Sequence, residues 1–560
     1  MIPAKAGTAW RDGLAGLSIA GLMLPEAVAY AGIAGLAPGR ALIAAVAGGL
    51  VYTLIGRSRF AVVSATSSSA SILAASLGSL AATPALAGAV SADELATAFT
   101  LMVGLIFCGL ALFRLGGLAG FVSRPVLRGF AFGLAATIII RQLPKLVRMP
   151  TPGGNIGEVL AGLLLHIPQW HWPTAALGFG SLVALILLRR IRGMPATLLV
   201  MATGITLGTF GPLAHSGLEL TGPAPLQWPT LALPLDFAVW GRVIQLAAPL
   251  TLIVFAESWG TIRTLALAHG DDISSNRELA AIGLANGAAA LVQGMPVGAG
   301  FSIGTANAAA GATSRLSAAV ASLATLALAL FAGPLIARVP EPVLAAVVVS
   351  ALLHALSPAP IARLFHLRRD PWVAFAAAMG VLLLGVLNGM LAAIALSIAQ
   401  LLYRWSHPVT SELGRVGSHD FVDLAHHDTA ARIPGVAIWR PNAPLFFANA
   451  ETVLHDIGHK ARTSGVHVVI LSLEESDDLD ATALDALDEF AQGLHGAGCR
   501  LILARAHDRV RDVLSAAGLA MLAENSTFSV ADAATRATRE ETGDGSVPPR
   551  PSDPAPGLHP

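Results

Sequence analysis

Residues 62–76 read VVSATSSSASILAAS, and six of the eight residues from Ser64 to Ser71 carry a hydroxyl group. Apolar residues flank this stretch, in a chain of 560 residues that is 54% hydrophobic and only 12% charged. A soluble globular protein has about 25% charged residues, roughly twice this share. The hydroxyl groups therefore interrupt an apolar segment of a protein whose composition is that of a membrane protein.

Apolar stretches recur along most of the chain. Those long enough to cross a bilayer, about 17–25 residues, extend from residue 13 to about residue 404. Breaks rich in Pro, Gly and Arg divide this part into about fourteen helices, two of them short. We expect an α-helical polytopic membrane domain over residues 8–405. The first run contains Pro25 and Glu26 and leads directly into further spans, so we interpret it as a helix rather than a signal peptide.

The composition changes after Trp405, and charge density rises from Glu412 onward. The segment VHVVILSL (466–473) is a short apolar run typical of a central strand buried on both faces. We therefore predict a small α/β domain over residues 409–540. Its other predicted strands are Gly435–Arg440, Leu445–Phe447 and Arg500–Ala504, and its predicted helices are 451–463, 481–494 and 510–517. The Pro-rich tail, residues 541–560, should be disordered.

Alternate loops of the membrane part are rich in arginine, and the positive-inside rule places such loops in the cytoplasm. Both termini and the α/β domain are then also cytoplasmic. Arg141, Lys145 and Arg148 fall on the opposite side in this topology. The loop arginines are Arg57, Arg59, Arg114, Arg124, Arg128, Arg189, Arg190, Arg192, Arg263, Arg277, Arg363, Arg368 and Arg369.

The membrane part contains a faint internal repeat. An acid lies in LPEAVAYA, as Glu26, and again in PLTLIVFAESWG, as Glu257. The hydroxyl-rich stretch near residues 64–71 has a counterpart, GAGFSIGTANAAAGATS, at 298–314. The acid precedes the small-residue segment by about 40 residues in the first copy and about 45 in the second. Such repeats are a common basis of transporter folds.

Each acid has two interpretations. A carboxylate inside a membrane span usually faces a water-filled site or a charged partner. Glu257 follows ten uncharged residues and is a candidate functional group, or it is a structural acid that pairs with Arg263. Glu26 follows Pro25, so it either serves the site or satisfies backbone groups that the proline leaves free.

The hydroxyl-rich segments indicate a binding site for an anion. We expect Phe60–Ala65 to be extended and a helix to begin near Thr66–Ser68. A helix N-terminus presents unpaired N–H groups and a partial positive charge, and Ser and Thr add donors. Gly298, Gly300 and Ser302 precede a second such helix. Two N-termini near the bilayer midplane would hold one anion. The alternative is that these small residues only let helices pack closely.

Three segments of the sequence resemble known protein families. LPEAVAYAGIAGLAP and FAESWGTIRTLALAHGDDISSNRELAAIGLANGAAALVQGMPVGAGFS (255–302) are similar to the sulfate permease (SulP) anion transporters. The segment VVILSLEESDDLDATALDAL (468–487) resembles that of a STAS domain. Together the resemblances cover residue 8 to about residue 535. Eight residues of the 255–302 segment occur in the same order as in the family: Glu257, Arg263, Asn276, Glu278, Gly283, Asn286, Gly294 and Pro296.

The resemblance implies fourteen transmembrane segments in two inverted repeats of seven, core and gate subdomains that move against each other, and commonly a homodimer. It also implies a substrate site between the third and tenth segments, flanked by the first and eighth. Glu257, in the eighth segment, would couple transport to a cation. The implied substrate-binding residues are Ser67, Ser68, Gly300, Phe301, Ser302 and Glu26.

One departure from the family affects the predicted mechanism. Many relatives carry Arg directly after the serine of segment ten, where this chain has Ile303. Anion binding then rests on helix ends and hydroxyl groups. An ionised Glu257 would repel a bound anion unless it is protonated or paired with a cation, which favours symport.

We therefore predict a secondary active anion transporter of a bacterial inner membrane, coupled to protons, that moves sulfate, a dicarboxylate or bicarbonate by alternating access. The alternatives are a sodium-coupled bicarbonate symporter, an anion exchanger, or a membrane-tethered STAS scaffold that binds a cytoplasmic protein through Asp480–Ala483. The zero net charge argues against nucleic acid. No GxxxxGK, HExxH or CxxC motif indicates an enzyme or a cofactor, and His455 and His459 lack a third metal ligand.

Overall fold

The computed structural model describes residues 6–81, 91–117, 123–150, 155–188, 190–191, 196–211, 216–221, 233, 237–367 and 371–541. The chain divides into two compact units, Met1–Ile398 and Ala399–Pro560. In its described ranges the first unit is helical except for two short strands, and the second unit is α/β.

Within its described residues, the first unit contains five helical stretches that are long and apolar enough to cross a membrane: Ala9–Ala34, Pro38–Ile55, Ala92–Leu112, Pro125–Leu146 and Val239–His269. Further apolar helices of this unit are shorter, with 10–17 residues each. The helices are α1 (Ala6–Ala34), α2 (Pro38–Ile55), α3 (Ser67–Ala81), α4 (Ala92–Leu112), α5 (Arg124–Leu146), α6 (Ile156–Leu165), α7 (Trp172–Leu188), α8 (Ala196–Thr209), α9 (Phe237–His269), α10 (Ser275–Leu291), α11 (Phe301–Ala309), α12 (Leu316–Ile336), α13 (Glu341–Leu352), α14 (Ala359–His366) and α15 (Pro371–Ser406). 3-10 turns lie at Ile167–Gln169 and Leu353–Leu356.

The last helix of this series is divided in two. Gly385 inside α15 has a φ of 82°, in the left-handed region that glycine adopts at little cost. An α-helix cannot continue through this conformation, so the element consists of two successive helical segments. This break brings the number of long helical segments closer to the predicted number of spans.

Two three-residue strands join the two halves of the first unit. β1 (Val63–Ala65) and β2 (Val297–Ala299) pair antiparallel, with Ser64 opposite Gly298 at the centre. Each strand directly precedes a helix, α3 after β1 and α11 after β2. An antiparallel pair with a central two-fold point is what an inverted repeat produces.

The helix contacts show the same internal two-fold relation. Helix α1 packs on α12, and its counterpart α9 packs on α4. Helix α2 likewise packs on α12 as α10 packs on α4. The first four helices of each half therefore surround the strand pair in equivalent ways, as the predicted inverted repeats require.

Small residues allow α4 and α10 to touch through their backbones. A Cβ atom on Gly104 would lie 2.8 Å from the nitrogen of Gly287, and one on Gly283 would lie 2.8 Å from the Sγ of Cys108. Distances this short leave no room for a side chain, as in other closely packed membrane helices. The close-packing alternative that we considered for the hydroxyl segment is thus realised here, at a different pair of helices.

Buried polar contacts hold the chain that leads into β1. The Tyr52 hydroxyl donates to Glu278 Oε2 at 2.6 Å, and the Arg57 backbone N–H donates to Glu278 Oε1 at 2.8 Å. Arg315 donates to the carbonyl oxygens of Thr53 and Gly56 at the end of α2. These bonds satisfy polar groups that burial would otherwise leave unpaired, and they fix the approach of the chain to the strand pair.

The second unit contains one five-stranded sheet in the order β4-β3-β5-β6-β7. Its strands are β3 (Thr410–Val416), β4 (Asp420–Asp423), β5 (Val436–Pro441), β6 (Val468–Ser472) and β7 (Arg500–Ala504). Its helices are α16 (Ala450–Ser464), α17 (Ala481–Gly496), α18 (Asp508–Ala516), α19 (Ala520–Glu524) and α20 (Val530–Glu541). Strand β6 pairs in parallel with both neighbours, and all of its residues are buried. The predicted central strand is confirmed.

Other predictions for this unit need correction. Leu445–Phe447 is not a strand, because side chains take its backbone donors: Leu445 N–H bonds to Ser476, and Phe447 N–H bonds to Asp480. Strands β3 and β4 and helices α19 and α20 also exist, although we expected 510–517 to be the last helix. Glu541 ends α20, and the rest of the predicted disordered tail lies outside the described residues.

Candidate functional site

A cavity of about 590 Å³ lies in the first unit beside the strand pair. Helices α1, α3, α9 and α11 form one wall, and α5, the end of α13 and the start of α14 form the other. All seven residues that we predicted for the site line this cavity: Glu26, Ser67, Ser68, Glu257, Gly300, Phe301 and Ser302. Their individual roles remain predictions.

The N-terminus of α3 is closed by its own hydroxyl groups. Thr66 Oγ1 accepts from Ser69 N–H at 3.1 Å, and Ser69 Oγ accepts from Thr66 N–H at 3.0 Å. This reciprocal pair is a capping box with Ser in place of the usual Glu. The helix therefore begins where the sequence predicted. The amides of Ser67 and Ser68, which have no intrahelical acceptor, lie at the cavity.

The N-terminus of α11 has a different construction. Gly300 is its N-cap, with φ −70° and ψ 139°, and no side chain caps the helix. The first amides of α11, from Phe301 onward, therefore have neither an intrahelical acceptor nor a capping side chain. Phe301 and Ser302, which carry these donors at the positive end of the helix, line the same cavity as Ser67 and Ser68 of α3.

Two neighbouring helices hold the strand before α11. Ser258 Oγ on α9 accepts from Ala299 N–H at 2.9 Å. Asn286 on α10 bonds both backbone groups of Val297, accepting from its N–H and donating to its carbonyl, each at 2.9 Å. Asn286 is fully buried, so these bonds are shielded from water.

Glu257 lies on α9, next to the residue that anchors β2. Its Oε2 atom is enclosed by protein and has no hydrogen-bond partner among the described residues. Ser68 of α3 lies beside the carboxyl group. Arg263 is exposed, and no ion pair joins it to Glu257 in the described part of the chain. The structure thus gives no support to a structural Glu257–Arg263 pair.

The facing wall is mainly apolar, and it contains a residue that sequence reasoning missed. We counted Arg128 among the loop arginines, but it lies inside α5, just beyond the first turn after the N-cap Ser123, and lines the cavity. Thr261 and Thr264 on α9 were also missed. Their helical spacing from Glu257 could have identified them, whereas the sequence offers no signal for Arg128.

The lining residues show where along the helices the cavity lies. On α9 they run from Ile253 to Thr264, toward the C-terminal end, and on α5 they run from Leu127 to Ala135, near the N-terminal end. Both ends adjoin loops that we predicted to be cytoplasmic. A smaller cavity of about 290 Å³ shares Glu26, Phe301 and Ser302 with the first.

The arrangement suits a small anion. Two helix N-termini supply amides and partial positive charge, and hydroxyl groups supply further donors. Two carboxyl groups, Glu26 and Glu257, line the same cavity and would oppose the charge of the anion when ionised. No group of three or more His, Cys, Asp or Glu side chains that could hold a metal ion occurs within the described ranges.

Comparison with known proteins agrees with this geometry. The model of the sulfate permease family matches residues 10–397, and that of the STAS domain matches residues 429–534. The chain is 34% identical to the probable sulfate transporter MT1781 of Mycobacterium tuberculosis over 542 residues, 94% of this chain and 95% of that protein. It is 25% identical to the chloroplastic sulfate transporter 4.1 of Arabidopsis thaliana over 540 residues, 93% of this chain and 78% of that protein.

Solved structures show the same fold. Murine Solute Carrier 26 family member A9, an anion transporter, aligns with a TM-score of 0.86 at 20% identity and covers 96% of this chain and 92% of its own. The transmembrane domain of a cyanobacterial bicarbonate transporter, BicA, aligns with a TM-score of 0.62 at 22% identity, over 70% of this chain and 98% of its own. The predicted fold class, with fourteen spans as inverted repeats and a C-terminal STAS domain, is confirmed. The chain is a multi-pass membrane protein and belongs to the sulfate permease family.

Proposed function

We propose that this protein is a secondary active transporter that carries a small anion, sulfate in the first place, across a bacterial inner membrane by alternating access. Proton binding at Glu257 would accompany the anion. The names of two relatives support sulfate, because MT1781 and the Arabidopsis protein, which match 94% and 93% of the chain, are described as a probable sulfate transporter and a sulfate transporter. The dicarboxylate and bicarbonate alternatives are tested in the same assay.

The observation that carries this proposal is the meeting of two helix N-termini and one carboxyl group at a single cavity. Ser68 and Ser302, in the first turns of α3 and α11, and Glu257 all line it. An anion held by the helix ends would be repelled by an ionised Glu257. A proton on Glu257 removes that repulsion, so proton and anion each strengthen the binding of the other.

Coupling to sodium is the second candidate. Oxygen atoms of Glu257, Thr261 and Ser302 line the cavity and could accept a hard cation. A sodium ion would neutralise Glu257 as a proton does, so the thermodynamic argument is the same. The enclosed and unpartnered Oε2 of Glu257 favours the proton, because a protonated carboxyl group needs fewer ligands than a metal ion.

We propose that the cavity opens to the cytoplasm, on the side of the C-terminal end of α9 and the N-terminal end of α5. Arginine residues lie near these helix ends, at Arg114 before α5, Arg263 in α9 and Arg277 in α10, and the positive-inside rule places such charges in the cytoplasm. The murine relative with the same fold is described in an inward-facing state. Both termini and the STAS domain would then be cytoplasmic. We also retain the homodimer and a protein partner of the STAS domain as proposals, and the membrane-tethered scaffold as the alternative from another class.

Uptake into proteoliposomes tests the proposal. We expect uptake of radiolabelled sulfate that an inward proton gradient stimulates, and inhibition by the other substrate anions if the site accepts them. Glu257→Gln should lose the stimulation, because a glutamine cannot exchange a proton. Asp272→Asn, an exposed acid outside the cavity, is the matched control and should retain it.

Uptake by the same proteoliposomes under different ion gradients identifies the coupling ion. Stimulation by sodium at constant pH would favour the sodium-coupled alternative, and uptake driven only by counter-anion would favour exchange. Uptake that ignores the proton gradient and survives Glu257→Gln unchanged would exclude proton coupling through this residue. Lack of uptake of any tested anion would remove the transport proposal itself and favour the scaffold.

A further inference from the structure

One formal positive charge lies on the wall that faces the helix ends. Arg128 lines the cavity from α5 among apolar neighbours such as Leu127, Phe130 and Ala131. It is exposed, and it forms no hydrogen bond or ion pair with any residue in the described part of the chain. By contrast, Arg40, Arg59 and Arg148 of the same unit each pair with a carboxylate, at 3.1, 2.8 and 3.2 Å.

The helix that carries Arg128 gains nothing from its charge. The N-terminal end of a helix is its positive end, so a cation near the start of α5 receives no support from the helix dipole. An arginine here also exposes its side chain to the cavity without a protein partner. The stability of α5 therefore does not account for this residue.

The charges that line the cavity indicate a role for Arg128 in binding an anion. Among the other described lining residues, the side chains that carry a full charge when ionised at neutral pH are the two acids Glu26 and Glu257. Helix α11 carries Ile303 directly after Ser302, so its end offers partial charges only. An anion that enters therefore approaches two carboxyl groups, and among the described residues that line the cavity Arg128 alone has an opposing full charge.

We propose that Arg128 is a specificity-determining residue that attracts oxyanions into the cavity and binds them opposite the ends of α3 and α11. This inference rests on the proposed transport of an anion. A guanidinium group presents parallel N–H donors that match two oxygen atoms of a sulfate, carboxylate or bicarbonate group. A halide ion has no such pair of oxygens. The substrate class inferred from this wall is thus oxyanions in preference to halides.

Sulfate binding to the purified full chain in detergent tests this role, with the dissociation constant taken from the dependence of thermal stability on ligand concentration. We expect Arg128→Gln to weaken sulfate binding about three- to tenfold at low ionic strength, since one unit charge at close range acts in a partly solvated cavity. The loss should shrink to less than about twofold at roughly 0.5 M ionic strength, where exposed charges are screened.

Two further variants separate the role of Arg128 from general effects. Arg128→Lys keeps the charge but not the paired donors, so it should restore sulfate affinity in part and lose preference for sulfate over chloride. Arg363→Gln removes an exposed arginine of α14 that does not line the cavity, and it should leave both quantities unchanged. A fold defect in Arg128→Gln would appear as a lower melting temperature without anion.

The outcomes distinguish this inference from the transport proposal. If the wild-type chain binds and transports sulfate while Arg128→Gln does so with the same affinity and the same salt dependence, the inference is wrong and the transport proposal stands. Equal effects of Arg128→Gln and Arg363→Gln would also overturn it, because a general surface charge would then be responsible. If the wild-type chain neither binds nor transports sulfate, fumarate or bicarbonate, both proposals fail.

Discussion

The two half-helices at the cavity are related by the inverted repeat, yet they are held in different ways. The start of α3 is capped from within, by the Thr66 and Ser69 hydroxyl groups. The start of α11 has a glycine cap without a side chain, and its strand is held by Ser258 and Asn286 from other helices. One half is locally specified and the other depends on distant partners.

This difference has a consequence for binding. In α3 the Thr66 hydroxyl accepts a hydrogen bond from one amide, that of Ser69, whereas the first amides of α11 have no capping side chain. The α11 end therefore offers more donors to an anion. It also adjoins the proposed coupling residue, because Ser258, which anchors β2, directly follows Glu257 in the sequence. We expect substitutions at α11 to affect transport most.

The largest effect should come from giving α11 the side-chain cap that α3 already has. Gly300→Asp places a carboxylate where it accepts from the first amides of the helix and adds a negative charge to the site. The change fits, because φ is −70° and a new Cβ would lie 3.7 Å from the Thr66 methyl group. We expect sulfate uptake to fall by about a hundredfold or more, since both the donors and about 2–3 kcal/mol of attraction are lost.

Gly300→Asn is the matched control for this substitution. It caps the helix in the same geometry without the charge, so its uptake should lie between that of Gly300→Asp and the wild type. Melting temperatures of both variants should equal or exceed that of the wild type. Normal uptake by Gly300→Asp would show that the α11 amides do not contact the anion.

The second prediction concerns the external support of β2. Asn286→Ala leaves the buried N–H and carbonyl of Val297 without partners and should lower stability by about 2–5 kcal/mol. Asn276→Ala, on the same helix, removes a single, partly buried bond to the Gly116 N–H and should cost about 1 kcal/mol. Chemical or thermal unfolding in detergent compares them. Equal losses for the two variants would contradict the special support of β2.

The smallest effect belongs to the self-capped half. Thr66→Ala and Ser69→Ala should each lower stability by about 0.5–2 kcal/mol, the usual value of a cap. Because the two hydroxyls form one box, the double variant should lose less than the sum of the single losses. The same unfolding measurement gives this double-mutant cycle. Strict additivity would mean that the reciprocal bonds are energetically independent.

Much of this arrangement could be predicted because it depends on residues that are close together in the sequence. The β-branched and hydroxyl residues before Ser67 predicted an extended stretch followed by a helix start, and β1 and α3 lie there. The glycines at 298 and 300 predicted the second start in the same way. The central strand β6 followed from one uninterrupted apolar run.

Other features depend on tertiary contacts that local patterns do not contain. The pairing of β1 with β2 joins segments far apart in the chain, and Arg128 reaches the cavity only because of the face that α5 turns toward α9. Leu445–Phe447 looked like a strand because it is apolar, but Ser476 and Asp480 take its amides. Helix α20 was missed because its apolar face consists mostly of alanines, such as Ala533 and Ala537.

Locating a bound substrate analogue tests the central claim most directly. Selenate has the shape and charge of sulfate, and its selenium atom gives an anomalous signal in crystals of the full chain. We predict a single anomalous peak in the cavity, with oxygen atoms about 2.7–3.2 Å from the amides at Ser68 and Ser302. A selenate ion bound elsewhere, with this cavity empty in a protein that transports sulfate, would contradict the account.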